Sequence, residues 1–163
     1  MTIKVAVIGL GIMGRRMLEH MSIHSDFEPK FLWDPDKDAC DQVMKQNTQA
    51  RIMDSPSDAI QAADLVYLAC PPIVRKVYAL EAAASGKALF LEKPFGVNVR
   101  ESVDLVAKLE RYAIPTAVNF SQASGIALSD LLESKRRGDM GSILGVDMIV
   151  TYPSWPRQWQ REA

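Results

Sequence analysis

Apolar and polar positions follow a repeating pattern over residues 1–120, in which short apolar runs alternate with longer amphipathic stretches. An uninterrupted run such as Val5-Ala6-Val7-Ile8 is typical of a parallel strand covered on both faces. The predicted strands are Ile3–Ile8, a strand ending in Phe31–Trp33, Arg51–Ile52, Leu65–Ala69, Ala88–Leu91 and Thr116–Asn119. The predicted helices are Met13–Ile23, Asp36–Gln46, a short helix at Pro56 capped by Ser55, Ile73–Ser85 ended by Gly86, and one capped by Asn98 that runs to Tyr112. Strands alternating with helices predict an α/β fold with a doubly wound parallel sheet.

Residues 121–163 follow a different pattern. A helix is predicted over Ala127–Arg137 with Gly138 as its stop, followed by a long strand over Ile143–Tyr152. One helix and one strand cannot easily bury their own faces. We therefore expect a complete domain over residues 1–120 and, over residues 121–163, the beginning of a truncated α+β domain.

A glycine motif separates the first predicted strand from the first helix. Gly9-Leu10-Gly11-Ile12-Met13-Gly14 has the spacing G-x-G-x-x-G. In this context the first glycine makes a tight turn, the second lets a pyrophosphate approach the backbone, and the third lets the helix pack closely on the strand. We expect Gly9, Gly11, Ile12, Met13 and Gly14 to cradle a pyrophosphate, partly through backbone amides at the helix N-terminus. The alternative is a plain turn that needs glycines.

Asp34 strengthens the dinucleotide interpretation. It lies twenty residues after Gly14, at the end of the second strand. A carboxylate there can accept hydrogen bonds from a ribose diol, although it can also cap the following helix. Strand, glycines, helix and acid together predict a Rossmann-type site. Asp34 would repel the 2′-phosphate of NADP, so NAD is favoured, and Lys37 nearby leaves NADP possible.

Composition narrows the functional classes. The formal net charge of -1 gives no basic bias of the kind that marks nucleic-acid binders. No apolar run approaches the roughly 18 residues that a membrane span needs. With only Cys40 and Cys70, a disulfide framework is not expected, and a reducing, cytoplasmic location fits.

A second motif, Glu92-Lys93-Pro94, follows the fifth predicted strand. Ligands of open α/β sheets bind outside the carboxyl ends of the strands, so Lys93 should stand near the reactive end of a bound dinucleotide. A lysine there can hold a substrate hydroxyl and take part in proton transfer as hydride leaves. The alternative is a solvated Glu-Lys pair at a strand end.

The glycine motif followed at this distance by Glu92-Lys93-Pro94 resembles the glucose–fructose oxidoreductase / inositol dehydrogenase (Gfo/Idh/MocA) family. Three further segments resemble the same family. They are Asp64–Pro72 around the fourth strand, Ala82–Lys87 before the fifth strand, and Gly138–Ile143. The resemblance implies NAD(P)-dependent hydride transfer at a carbinol or carbonyl of a sugar, an inositol or a related polyol.

The resemblance also implies roles for individual residues. Lys93 corresponds to the family's lysine that contacts substrate near the nicotinamide, and Lys93–Pro94 to its commonly cis peptide bond. Pro71 and Pro72 would shape the loop over the cofactor, and Glu92 would support the site.

Three departures from the family leave the substrate class open. Arg75 stands where the family usually has a histidine, and an arginine often found after the sixth strand is not evident in 119–123. The family's downstream histidine and carboxylate segment would begin just beyond Ala163. We therefore expect a fragment of a longer enzyme that is inactive alone.

Three other functions compete with this one. Gly9–Met17 also resembles the opening of the β-hydroxyacid dehydrogenases, but those enzymes lack Glu-Lys-Pro at this point. A non-catalytic dinucleotide-binding module is the second alternative, since Rossmann folds also host sensors and subunits. A methyltransferase is a weaker option that leaves Glu92-Lys93-Pro94 unexplained.

No metal site is expected. His20 and His24 have a helical spacing that can bind metal, but no third ligand is visible, and a position near the helix C-terminus explains them. Trp155, Trp159 and the open edge of a strand over Ile143–Tyr152 predict self-association into a homo-oligomer.

Overall fold

The computed structural model describes residues 2–46, 49–121, 123–147, 149 and 151. The chain divides into two compact units, Met1–Asn119 and Phe120–Ala163. The first unit carries the parallel sheet and all the residues of the candidate site.

The first unit is a six-stranded parallel sheet with the strand order β3-β2-β1-β4-β5-β6. Its strands are β1 (Ile3–Ile8), β2 (Phe27–Trp33), β3 (Arg51–Ile52), β4 (Leu65–Leu68), β5 (Ala88–Leu91) and β6 (Thr116–Val118). Its helices are α1 (Ile12–Ser22), α2 (Lys37–Gln46), α3 (Pro56–Ala62), α4 (Pro72–Ala84) and α5 (Val99–Tyr112). The predicted doubly wound α/β fold is confirmed. The strand order reverses between β1 and β4, and the loops that leave these two strands open a crevice at their carboxyl ends.

Alternate residues of β1 enter two different hydrophobic clusters, which explains its uninterrupted apolar run. Ala6 and Ile8 pack with α3, α4 and α5 on one face of the sheet. Val5 and Val7 pack with α1 and α2 on the other face. All four side chains are fully buried, so β1 is the centre of the core and a rigid support for the loop that follows it.

The predicted helix boundaries have identifiable caps. The hydroxyl oxygen of Ser55 accepts a hydrogen bond from the amide of Asp58 at 3.1 Å. The side-chain oxygen of Asn98 accepts from the amides of Arg100 and Glu101 at 2.9 and 3.2 Å. Gly86 follows the end of α4 with a φ of +69°, which glycine adopts without strain.

The second unit contains α6 (Ile126–Arg137), which ends at Gly138 with a φ of +81°. The strand predicted over Ile143–Tyr152 is wrong for residues 143–147, 149 and 151, none of which belongs to a strand. A β-strand requires a neighbouring strand to bond its backbone, and the described residues of this unit supply none. Tyr152, Trp155 and Trp159 lie outside the described residues. Assembly into a homo-oligomer therefore stays a prediction, and the strand edge that was one of its two supports is absent from the described residues of this unit.

Over the part of the chain that the structure covers, no helix combines the length and the apolar character that crossing a bilayer requires.

Candidate functional site

A cleft of about 630 Å³ opens at the carboxyl ends of the central strands. Loops after β1, β2, β4 and β5 meet there, as expected at the point where the strand order reverses. Its lining residues are Gly9, Gly11, Met13, Trp33, Asp34, Pro35, Ala69, Cys70, Pro71, Pro72, Val74, Arg75, Tyr78, Glu92, Lys93 and Pro94. Both sequence motifs and Asp34 therefore contribute to one cavity, whereas Ile12 and Gly14 do not line it.

The three glycines of the motif are required for different reasons. Gly9 has a φ of +98°, and a Cβ there would lie 2.6 Å from the backbone nitrogen of Cys70. A Cβ on Gly14 would overlap the backbone carbonyl oxygen of Gly9. A Cβ on Gly11 would meet nothing within 4 Å and would project into open space. The fold thus explains Gly9 and Gly14, but it does not explain the missing side chain at Gly11.

Helix α1 presents backbone donors toward this loop. Its N-cap, Gly11, provides no side-chain cap, and its first turn contains no acidic residue. The first amides of a helix have no partner within the helix, so those of Ile12 and Met13 are available to an anion. Together with the open space at Gly11, this geometry fits a pyrophosphate.

Asp34 is held rigidly at the end of β2. Its Oδ2 accepts the amide of Leu10 at 2.6 Å, and its Oδ1 accepts the amide of Asp36 at 2.9 Å. Each carboxylate oxygen keeps further acceptor capacity. The carboxylate therefore ties the glycine loop to β2 and can still receive two ribose hydroxyls.

Trp33 and Tyr78 line the same end of the cleft, and sequence reasoning did not identify either of them. Their rings meet edge to face, with centroids 6.1 Å apart. Trp33 precedes Asp34, and Tyr78 lies on α4. Aromatic faces beside a carboxylate that can accept ribose hydroxyls suit a purine base. The signal available in the sequence was the aromatic residue next to Asp34.

The loop after β4 enters α4 through two prolines. Pro71 is the N-cap of α4, and Pro72 occupies its first turn. A proline in the first turn loses no helical hydrogen bond and has a fixed φ. Pro71 and Pro72 therefore form one stiff wall of the cleft.

Glu92 is a buried carboxylate, 2% exposed, at the end of β5. Its Oε1 accepts the hydroxyl of Tyr67 at 2.7 Å and the side-chain amide of Asn119 at 2.5 Å. Its Oε2 accepts the amide of Lys93 at 3.1 Å. Burial and the hydrogen bond to Glu92 raise the pKa of Tyr67, which keeps its proton on the shared bond. Glu92 thus links β4, β5 and the residue after β6.

Lys93 is exposed and lines the cleft directly after Glu92. The peptide bond between Lys93 and Pro94 is cis, which confirms that expectation. Lys93 and Asp34 stand on opposite sides of the point where the strand order reverses. A dinucleotide anchored at Asp34 would extend toward Lys93.

Arg75 is a buried cation whose contacts were not expected from the sequence. It is 2% exposed, on the first turn of α4. Its Nη2 donates to the carbonyl of Cys70 at 2.6 Å, and its Nη1 donates to the carbonyls of Glu92 and Pro94. Its Nε has no partner, which costs about 1–3 kcal/mol for a buried donor. Sequence reasoning noted Arg75 only as a departure from the family and did not find these contacts.

Neither cysteine has a chemical role in this arrangement. Cys40 and Cys70 are both buried free thiols. Burial raises the pKa of the Cys70 thiol, although the charge of Arg75 opposes the rise. The thiol therefore stays protonated at neutral pH and is a poor nucleophile.

Among the described residues, no group of three or more histidine, cysteine or acidic side chains could hold a metal ion. The imidazole Nδ1 of His24 accepts the amide of Asp26 at 3.2 Å, and its ring packs on Phe27. These contacts give His24 a structural role at the end of α1.

Comparisons with known proteins place this geometry in a family. Residues 3–120 match the GFO_IDH_MocA family, described as "Oxidoreductase family, NAD-binding Rossmann fold". This is the family that the glycine motif and Glu92-Lys93-Pro94 predict, and the match includes both motifs.

Two relatives with similar sequences are inositol dehydrogenases. The chain is 26% identical over 163 residues to inositol 2-dehydrogenase 3 of Saccharopolyspora erythraea, covering 98% of this chain and 48% of that protein. It is 26% identical over 145 residues to scyllo-inositol 2-dehydrogenase (NAD(+)) of Bacillus subtilis, covering 86% of this chain and 41% of that protein. The chain therefore spans less than half the length of these relatives.

The fold is also that of a solved structure. Scyllo-inositol dehydrogenase from Lactobacillus casei, with bound cofactor NAD(H) and scyllo-inositol, has a TM-score of 0.78 to this chain at 18% identity. The similarity covers 86% of this chain and 43% of that one. At this identity the likeness establishes the shared fold.

Proposed function

We propose that this chain, which belongs to the Gfo/Idh/MocA oxidoreductase family, is the cofactor-binding part of an NAD-dependent dehydrogenase acting on a sugar, an inositol or a related polyol. One observation carries the proposal: Asp34 and Lys93 line the same cleft of about 630 Å³ at the carboxyl edge of the sheet. A ribose anchor and a substrate-binding cation at the two ends of one cavity fit a nicotinamide dinucleotide that lies between them.

The glycine loop supports the cofactor assignment. The fold leaves open the space that a side chain at Gly11 would occupy, and the next two residues, Ile12 and Met13, carry first-turn amides that have no partner within the helix. A diphosphate needs this combination of free space and backbone donors. Gly9 and Gly14 act indirectly, by allowing the loop and α1 to pack against the sheet.

Asp34 sets the choice of dinucleotide. Its carboxylate is already fixed by two backbone amides, so it cannot turn away from a ligand without breaking them. A fixed carboxylate accepts the 2′- and 3′-hydroxyls of NAD and repels the 2′-phosphate of NADP. NAD is therefore the proposed cofactor, with Trp33 and Tyr78 beside its adenine.

The reactive end of the cleft is built around Lys93. When bound, the nicotinamide ring supplies the hydride acceptor or donor. The ammonium of Lys93 would hold the substrate oxygen and stabilise the negative charge that develops on it during hydride transfer. Pro71, Pro72 and Pro94 form stiff walls that orient the ligand, and Glu92 supports Lys93 through its backbone amide.

The substrate class follows from the relatives and not from the pocket. Two curated relatives are named as inositol dehydrogenases, and a polyol hydroxyl is a group that a lysine ammonium can bind. Because the relatives are about twice as long, we propose that residues 121–163 begin a further domain that supplies most of the substrate pocket and the subunit contacts.

Calorimetric titration with NAD and NADP, each in oxidised and reduced form, tests the cofactor assignment. The wild-type chain should bind NAD more tightly than NADP, and Asp34→Ala should weaken NAD binding. Asp64→Ala is the matched control, because the carboxylate of Asp64 accepts the amide of Lys4 at the opposite edge of the sheet. Absence of binding to any of the ligands, or equal loss in both variants, would contradict the proposal.

A further inference from the structure

Arg75 makes an unusual set of contacts for a buried cation. Its guanidinium donates to the carbonyl of Cys70 in the loop after β4 and to the carbonyls of Glu92 and Pro94 in the turn after β5. The side chain therefore bridges two loops that are adjacent in space and distant in sequence. All three acceptors are main-chain carbonyl oxygens, so these hydrogen bonds fix the positions of the backbone.

The two carbonyls of the turn lie on either side of Lys93. Arg75 donates to the carbonyl of Glu92, which precedes Lys93, and to the carbonyl of Pro94, which follows Lys93. The amide of Lys93 itself donates to Oε2 of Glu92. The backbone around Lys93 is thus restrained from both sides by buried side chains, while its own side chain stays exposed in the cleft.

We propose that Arg75 is a positioning residue that fixes the backbone of Lys93 and the adjoining wall of the cleft, and so places the Lys93 ammonium for substrate. This inference rests on the proposed function, since it assigns a purpose to the placement of Lys93. The unpartnered Nε supports it. Most buried donors in folded proteins are partnered, and unsatisfied ones recur at strained or functional sites.

Guanidinium geometry explains why another cation cannot replace Arg75. Its planar fork sends donors in several fixed directions from one buried position. A lysine ammonium has three donors on a single atom and cannot reach the carbonyls of Cys70, Glu92 and Pro94 together. Arg75→Lys therefore keeps the charge and most of the volume but loses the bridge.

Amide hydrogen exchange and ligand binding on the full chain test the proposal together. In Arg75→Lys the exchange of the Lys93 amide should rise about tenfold relative to core amides of β1 and β4, because an opened turn exchanges independently of global unfolding. The affinity for NADH should fall about tenfold while that for ADP changes less than about twofold, since ADP reaches only the Asp34 end. Lys76→Met is the matched control, because Lys76 is the next residue of α4 and pairs with Asp104 on α5.

Other outcomes distinguish failure of the positioning role of Arg75 from failure of the proposed function. If core amides and the Lys93 amide accelerate equally, and both ligands weaken equally, Arg75 has only a structural role and the inference is wrong. The inference also fails if neither the exchange nor the NADH-to-ADP affinity ratio changes. If wild type binds neither ADP nor NADH while the Lys93 amide still responds to Arg75→Lys, the restraint stands and the proposed function falls.

Discussion

Substitution of Gly11 and Gly14 by alanine should separate ligand binding from folding within one short motif. Gly11 has extended backbone angles, φ -65° and ψ -169°, which alanine adopts without strain. An added methyl meets no atom of the chain within 4 Å. At Gly14 the same methyl overlaps the carbonyl oxygen of Gly9, which is backbone and cannot rotate away.

Two small effects oppose each other in Gly11→Ala. Reduced entropy of the unfolded chain stabilises the protein by about 0.4–1 kcal/mol. Alanine is a poorer N-cap than glycine, which costs a comparable amount, about 0.5–1 kcal/mol. The free energy of unfolding should therefore stay within about 0.5 kcal/mol of wild type. In Gly14→Ala, overpacking should lower it by about 1–3 kcal/mol or more.

Gly11→Ala should weaken NAD binding strongly although it hardly changes stability, whereas Gly14→Ala should act mainly on stability. The methyl of Gly11→Ala occupies the space where the pyrophosphate would approach the backbone. Loss of one charge-assisted hydrogen bond to the phosphate raises the Kd about 10- to 100-fold. Urea unfolding followed by circular dichroism and calorimetric titration with NAD measure the two quantities. Unchanged NAD affinity in Gly11→Ala would refute the argument that the open space belongs to a pyrophosphate, and unchanged stability in Gly14→Ala would refute the packing argument.

Three further substitutions have defined outcomes. Burial and the hydrogen bond to Glu92 raise the pKa of Tyr67 above its unfolded value of 10.0, so the stability that this residue contributes should be lost as the pH rises above that value. The free energy of unfolding, measured with urea at about pH 8 and 11, should therefore fall less in Tyr67→Phe than in wild type. NAD should quench the fluorescence of Trp33, and a quench that is unchanged in Trp33→Phe would place the adenine elsewhere. Asp34→Ser should raise the ratio of NADP to NAD affinity in competition titrations, and an unchanged ratio would argue against contact with the ribose.

The fold was predictable because its signals are local. The apolar run of β1, the caps at Ser55 and Asn98 and the glycine stop at Gly86 each depend on residues close in sequence. Only the strand over Ile143–Tyr152 was wrong among the described residues. Its apolar character resembles that of a true strand, but sequence pattern cannot show whether a pairing partner exists.

The two ends of the cleft differ in how far the sequence reveals them. The end proposed for adenosine depends on the glycine loop and on Asp34, which lie one βαβ unit apart and have a recognisable spacing. The reactive end depends on contacts between Glu92 and residues 25 and 27 positions away, Tyr67 and Asn119, which have no fixed spacing. Lys93 and Glu92 were found through their motif, whereas Tyr67, Asn119 and the contacts of Arg75 required the three-dimensional structure.

The two buried charges beside Lys93 both form hydrogen bonds to the backbone of the same turn. Arg75 and Glu92 are each 2% exposed, yet they form no direct ion pair and meet instead through the turn that contains Lys93. A direct bridge would satisfy the two charges with each other and leave the turn unrestrained. With the guanidinium on the carbonyls and the carboxylate on the amide, the peptide groups of the turn become the link between opposite charges. Each charge is then stabilised in part by the backbone that it orders, and displacement of Lys93 would remove the amide from Glu92 and turn carbonyls from Arg75, leaving Glu92 only Tyr67 and Asn119 and Arg75 only the carbonyl of Cys70.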